Sequence, residues 1–177
     1  IQENVRRLID AGLAYSAGSS LGIGNYWPGA FSVFFQTKNP TVAFASEIAL
    51  DEIASVQAKG VTAEELATSR NQFVETFPQN FESPADIAGI FAADEYIGRP
   101  HAYWQNYRAA IGKVTSADVQ RVAKQYLKQP EMAFLVVGKW AEIEKGDADG
   151  KASMKQFFDG KVTRLPLRDP LTLKPLP

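Results

Sequence analysis

The stretch from Leu13 to Ala58 limits the fold more than any other part of the sequence. Leu13 to Ser20 reads as a strand of small residues, with Leu13, Tyr15 and Ala17 on one face. Gly22, Gly24, Asn25, Pro28 and Gly29 then mark a turn. Ala30 to Thr37 is aromatic and β-branched, the composition of a second strand. Two strands joined by a turn-rich loop predict an antiparallel hairpin. Asn39-Pro40 follows, Asn as N-cap and Pro at the first helical position, and opens a helix to about Ala58. Val42, Ala45, Ala49, Ile53 and Val56 form one apolar stripe along it, widened by Phe44 and Ile48. Helix must therefore pack on sheet, which predicts an α+β layer arrangement.

The rest of the chain adds mostly helices. Ahead of the hairpin, Ile1, Val5, Leu8 and Ile9 share a helical face that ends near Gly12. Thr62 and Glu65 have the spacing of a capping box, starting a helix toward Phe77. Ser83-Pro84 opens another to about Ile97, closed by Gly98 and Pro100, and Tyr103 to Ile111 reads as a short aromatic helix. Thr115 caps the next, with Val119, Val122, Ala123, Tyr126 and Leu127 at helical spacing, before Gln129-Pro130 breaks it. Met132 to Gly138, a short continuous apolar run, predicts a buried strand. The tail from Leu165 carries Pro166, Pro170, Pro175 and Pro177 and is expected to be extended along a surface or a neighbour. Residues 1–145 thus read as the domain, and 146–177 as a polar turn and tail. Three strands are few for this many helices, since sheets usually have about four to six. The expectation is an antiparallel or mixed sheet, with helices packed on one face, that is N-terminally truncated.

Composition excludes several function classes. The 177 residues are 45% hydrophobic and carry a formal net charge of −1, too apolar for disorder and without the basic excess of a nucleic-acid binder. The longest clean apolar run, Met132 to Val137, is far short of the ~18 residues that a membrane span needs. No cysteine is present, so disulfides, thiol nucleophiles and Cys metal sites are excluded. The single histidine, His101, cannot by itself build a two-His zinc site and reads as structural. Asp94 and Glu95 are adjacent on a predicted helix and point about 100° apart, so they suit capping or ion pairing rather than an acid/base dyad. Asp147, Asp149 and Gly150 begin like a calcium loop, but Gly stands fourth instead of sixth and Phe158 occupies the twelfth position. A turn is expected there. The glycines around Gly22 lack phosphate-loop spacing, and Ser16, Ser19 and Ser20 lack a nucleophile elbow. Tyr103, Trp104 and Tyr107 have no accompanying basic groove and are read as packing residues.

Taken in order, several segments resemble one known family. They are Gly12-Leu13-Ala14-Tyr15-Ser16 after a charged helix, Pro28-Gly29-Ala30-Phe31, Thr37-Lys38, and Gly60-Val61-Thr62-Ala63-Glu64-Glu65-Leu66. Phe81-Glu82-Ser83-Pro84, Tyr107-Arg108 with Ile111, Val114 to Val119, and Val136-Val137-Gly138 continue the series. Together they resemble the non-catalytic C-terminal domain of the pitrilysin/insulinase-type zinc peptidases, to which the mitochondrial processing peptidases are related.

The resemblance implies paired α/β domains that close like a clamshell around unfolded peptide. Zinc would belong to an N-terminal domain or partner subunit bearing an inverted His-x-x-Glu-His motif, which this chain lacks, so no cofactor is expected in the chain itself. It also implies a strand and helix ahead of the first helix here, a dimer or larger assembly, and often export in bacteria. Active relatives place an Arg about two helical turns before the tyrosine of Leu-Ala-Tyr, and the pair reaches the substrate. Tyr15 matches the tyrosine; seven residues earlier stands Leu8, with Arg6 and Arg7 beside it. Either Arg7 serves across a longer loop or the pair is lost. The implied function is a peptide-binding, chamber-forming domain paired with a zinc domain, the alternative being a scaffold of the same fold without proteolysis.

Overall fold

The hairpin and the long helix behind it form the centre of the computed structural model, which describes residues 7–10, 12–22, 24, 26–147 and 149–176; the side chains of Arg7, Asp10 and Phe158 are outside that description. Helix α1 (Arg7–Asp10) leads into strand β1 (Ala14–Leu21), which pairs antiparallel with β2 (Phe31–Thr37). Of the expected first helical face, Ile1 and Val5 lie outside the described residues, Leu8 is fully buried and Ile9 is partly exposed. The glycines of the connecting turn are needed for close approach. A Cβ on Gly24 would overlap the Trp27 carbonyl, and one on Gly29 the carbonyl of Gly22.

Helix α2 (Val42–Lys59) buries every member of the stripe read from the sequence: Val42, Ala45, Ala49, Ile53 and Val56. Asn39 does not cap it. A 3-10 turn, Asn39–Thr41, comes first, and the Asn39 side chain instead donates to Glu142 at 2.9 Å. Helix α3 (Ala63–Thr76) begins with the Thr62/Glu65 capping box, and α4 (Pro84–Ile97) is capped by the Ser83 hydroxyl and ends on Gly98 at φ 68°, a left-handed conformation that glycine adopts freely. Helix α5 (Tyr103–Gly112) precedes α6 (Ser116–Tyr126), whose Thr115 and Asp118 form a second capping box. Reciprocal amide bonds lock α6 to the end of α2: Gln57 donates to the Leu127 carbonyl at 2.7 Å, and Gln120 to the Ala58 carbonyl at 2.9 Å. A single-turn helix, α7 (Trp140–Ile143), follows.

Three apolar clusters meet along α2. Leu8, Ala14 and Ala45 join α1 to the hairpin; Ile53, Val56, Ala123 and Leu127 join α2 to α6; Val42, Ala43, Ile143 and Met154 close the other end. The α+β arrangement holds, with a two-stranded antiparallel sheet among the described residues, backed by helices.

Two further expectations need correction. Met132–Gly138 is extended, and its side chains alternate, with Met132, Phe134 and Val136 half-buried and Ala133, Leu135 and Val137 exposed. Among the described residues it is nevertheless not a strand, because no ladder joins it to β2. The apolar run fixes an extended shape, but a strand requires a neighbouring edge within bonding distance. The tail, in turn, folds back on itself rather than lying along the body. Leu176 N–H donates to the Leu167 carbonyl at 2.7 Å, and the Asp169 carboxylate gathers the Leu171 and Thr172 amides at 3.0 and 2.7 Å. That Asx-type turn reverses the chain.

Candidate functional site

Tyr15 stands at the start of β1, where the register slips between Ala14 and Ser16. The bulge turns its ring away from the core on which Leu13 and Ala17 pack, and Tyr15 is 90% exposed. It therefore leaves the face that simple alternation gave it. The position seven residues before it, Leu8, is fully buried against Ala14 and Ala45, so that helical position points into the core. Arg7 lies in α1 with its side chain outside the described residues, and Arg6 lies outside them altogether.

The sheet is covered on one side only. Phe31, Val33 and Phe35 pack toward the helices, whereas Phe34 points the other way, over the Cα of Gly18, where a Cβ would come within 2.8 Å of the ring. In the neighbouring extended segment Phe134 and Val136 pack toward α2. Leu135 and Val137 point away from it and are 80% and 88% exposed. Phe34, Leu135 and Val137 thus give the open side an apolar surface. Polar contacts on that side are local, such as the Ser16 hydroxyl donating to Gln36 at 3.3 Å. Neighbour-by-neighbour alternation from Met132 to Val137 is the sequence signal for this surface, because it assigns every second residue outward.

A second cluster joins α3, α4 and α5. Phe77 stacks on Tyr107 with centroids 5.3 Å apart, and Phe81 meets Trp104 edge-on at 5.6 Å. Asp94 is buried among them; it accepts from Arg99 at 2.6 Å and from the Trp104 indole N–H. The Arg99 guanidinium also lies 4.6 Å from the Tyr103 ring centre, a cation–π contact. Burial, and secondarily the neighbouring Tyr103, pushes the Tyr107 hydroxyl above its ordinary pKa. Asp94, Arg99 and the Trp104 indole N–H satisfy one another, so the cluster ties the helices together. Sequence reading placed the aromatics here as packing but missed that Arg99, just past the Gly98 cap, returns to Asp94.

Chemistry is sparse elsewhere. Asp147 closes the expected polar turn, accepting from the Lys151 amide at 2.9 Å, and this bonding holds its carboxyl below the usual range. Glu95 and His101 are exposed. Among the described residues no group of three His, Asp or Glu side chains could hold a metal ion, so these residues do not fit a zinc centre. No helix among them is long and apolar enough to cross a membrane.

Residues 4–73 match the family model described as the peptidase M16 inactive domain. Comparison with curated proteins gives no match. Among solved structures, the chain is similar to a peptidase M16 inactive domain from Pseudomonas fluorescens, with 21% identity and a TM-score of 0.59 over 70% of this chain and 29% of that one. It is also similar to a protease from Helicobacter pylori, with 24% identity and a TM-score of 0.55 over 70% of this chain and 30% of that one. At these identities the likeness is one of fold, and the chain spans less than a third of either solved chain.

Proposed function

We propose that the chain is a non-catalytic domain of the peptidase M16 type, a reading supported by the match over residues 4–73, and that it forms one wall of a chamber that holds unfolded peptide, paired with a zinc-bearing domain or subunit. The observation that carries this reading is the uncovered apolar side of the sheet, where Phe34, Leu135 and Val137 face away from the helices. An unfolded peptide offers apolar side chains at irregular spacing, and a flat apolar wall can take them without a shaped pocket. Tyr15 stands free with its hydroxyl and is assigned to contact with the peptide, with Arg7 or Arg6 as its companion. Zinc chemistry falls to the partner, because the described residues here supply no ligand set.

The test is peptide affinity of the assembled protein. Fluorescence anisotropy of a labelled unstructured peptide should show Leu135→Ser with Val137→Ser weakening binding about tenfold, since losing the cover of one buried aliphatic side chain costs roughly 1.5–3 kcal/mol. Tyr15→Phe should weaken it less while leaving the fold intact. Affinity unchanged in the double variant would remove the wall from the binding surface.

A further inference from the structure

Two regions carry apolar side chains that the core leaves uncovered, and they carry opposite charge. The first is the tail, which has a fixed shape of its own. The Leu173 N–H donates to the Asp169 carbonyl at 2.8 Å, the Asp169 N–H to the Lys174 carbonyl at 2.9 Å, and the Arg168 guanidinium to the Leu173 carbonyl at 3.0 Å. These bonds hold Leu173 at φ 56°, a left-handed conformation that is costly for a residue with a Cβ. Yet every residue from Lys161 to Leu176 except Asp169 is exposed, and none of the three apolar clusters includes a described residue beyond Phe157. Leu165, Leu167, Leu171 and Leu173 all face solvent, Leu171 at 91%. A turn that is already ordered loses little freedom when a partner covers its leucines.

The second region is α4 with the hairpin tip that meets its end. Ile87 and Phe91 are partly exposed along the helix. The Tyr26 hydroxyl donates to the Tyr96 carbonyl at 3.3 Å, and Trp27 beside it is 82% exposed. Exposed aromatic rings are surfaces on which proline-containing segments dock, and the tail sets Pro166, Pro170 and Pro175 among its leucines. Charge separates the two regions. From Glu82 to Gly98 the chain has Glu82, Asp86, Asp94 and Glu95 and no Lys or Arg. From Lys161 to Pro177 it has Lys161, Arg164, Arg168 and Lys174 against Asp169 alone.

Within one copy these regions stand at opposite ends of α2. The tail springs from Met154 and Phe157, which pack on Val42 and Ala43 at the start of that helix. Tyr26 belongs to the hairpin tip, beyond Phe31, which packs with Ile53 and Val56 near its end. The 18 residues of α2 span about 27 Å.

We infer that the tail of one copy docks on α4 and the Tyr26–Trp27 corner of a second copy, and that the exchange is reciprocal. Basic tail meets acidic helix, and leucine and proline side chains cover Ile87, Phe91 and the exposed rings. Two equal contacts about a twofold axis close the assembly at a dimer, whereas one-way docking would propagate. Reciprocity also doubles the covered area, toward the roughly 1,200–2,000 Å² that stable interfaces bury. The family resemblance implies an assembly without saying which surfaces meet; the uncovered leucines and the charge pattern say which. Phe34, Leu135 and Val137 take no part, so the inference stands whether or not the chamber reading holds.

Sedimentation velocity of the intact protein tests this by reversing charge on each side. Arg164→Glu with Lys174→Glu makes the tail acidic, and Glu82→Lys with Glu95→Lys makes the helix basic; all four side chains are exposed. The parent should dimerise, and each double variant should weaken the dimer at least about tenfold, because like charges then face each other. An equimolar mixture of the two variants should restore it, since acidic tail meets basic helix in one contact and basic tail meets acidic helix in the other. Leu167→Ser with Leu171→Ser, which leaves every charge in place, should weaken the dimer as well. A parent that stays monomeric to about 100 μM would overturn the proposal. So would variants as tightly dimeric as the parent, or a mixture that stays monomeric. A monomer throughout, with tail amides that exchange slowly, would assign the tail to its own α4 and overturn it too.

Discussion

Helices α2 and α4 are both rich in apolar residues, yet α2 buries eight of its 18 residues and α4, with 14, buries only Asp94. The difference lies in how the apolar residues are spaced and in what surrounds them. On α2 they recur every three to four positions, and the hairpin, α6 and the 132–138 segment each take part of that stripe. On α4 they run all round: Ile87, Ile90, Phe91, Ala92, Ala93 and Tyr96 leave no polar face. A helix apolar on every side needs neighbours on more than one side. Here α4 is met through Asp94, by the turn at Phe77–Phe81, and at its end by Tyr26, whose ring lies edge-on to Tyr96 at 5.6 Å.

The comparison can be broken most directly at Ile53, which is 3% exposed at the centre of α2. Ile53→Ala should cost about 3 kcal/mol in urea unfolding, the transfer loss plus a cavity that α6 cannot collapse into. A loss under about 1 kcal/mol would mean that α2 is no better packed than α4. Next in size is Asp94, the only anchor of α4 to its neighbours that is itself buried. Asp94→Ala leaves the Trp104 indole N–H and the Arg99 guanidinium without their acceptor, at a cost of about 2 kcal/mol. The effect should be regional: exchange of α4 and α5 amides accelerates while that of α2 amides does not.

A smaller effect belongs to the start of α3. Thr62→Ala removes the hydroxyl that accepts from the Glu65 amide, at about 1 kcal/mol. The Thr62 backbone N–H, and then its hydroxyl, hold the Glu65 carboxyl below the usual carboxylate range. A lowered folded pKa means that this contribution is complete above the unfolded value of about 4.3 and is lost as pH falls through the folded value. The gap between Thr62→Ala and the parent chain should therefore narrow on acidification below about pH 4, by the share of the hydroxyl bond to the Glu65 carboxylate, and keep the share of the bond from the Glu65 amide. A constant gap between them would show that the Thr62 hydroxyl contributes nothing through the carboxylate.

The sequence made local structure legible wherever the signal lies within a few residues. Both capping boxes, the Gly98 stop and the α2 stripe are decided by spacings of three to four positions, and all are present. What it did not reveal depends on partners far along the chain. Asn39 bonds Glu142 and Lys139 instead of its own helix, across about a hundred positions. Met132–Val137 has the pattern of a strand, but pattern cannot supply the edge it must bond. Tyr15 left its expected face because one bulge reverses the parity of β1, and no residue type there announces a bulge. For the candidate site, the exposed Tyr15 was named from resemblance, whereas the exposed Leu135 and Val137 were hidden in a run that read as wholly buried.

The smallest expected effect sharpens the contrast most. Phe91 lies on α4 and is half-exposed. Phe91→Ser should change the stability of these residues by no more than about 0.5 kcal/mol, since little apolar area leaves water when the chain folds. The same replacement on α2 would cost several times that. If α4 is apolar because another domain or subunit covers it, Phe91→Ser should instead lower the yield of the assembled protein, read by size-exclusion chromatography, with unfolding of the present chain unmoved. A loss above about 2 kcal/mol in the isolated chain would show that α4 is already packed within it, and the distinction between the two helices would fail.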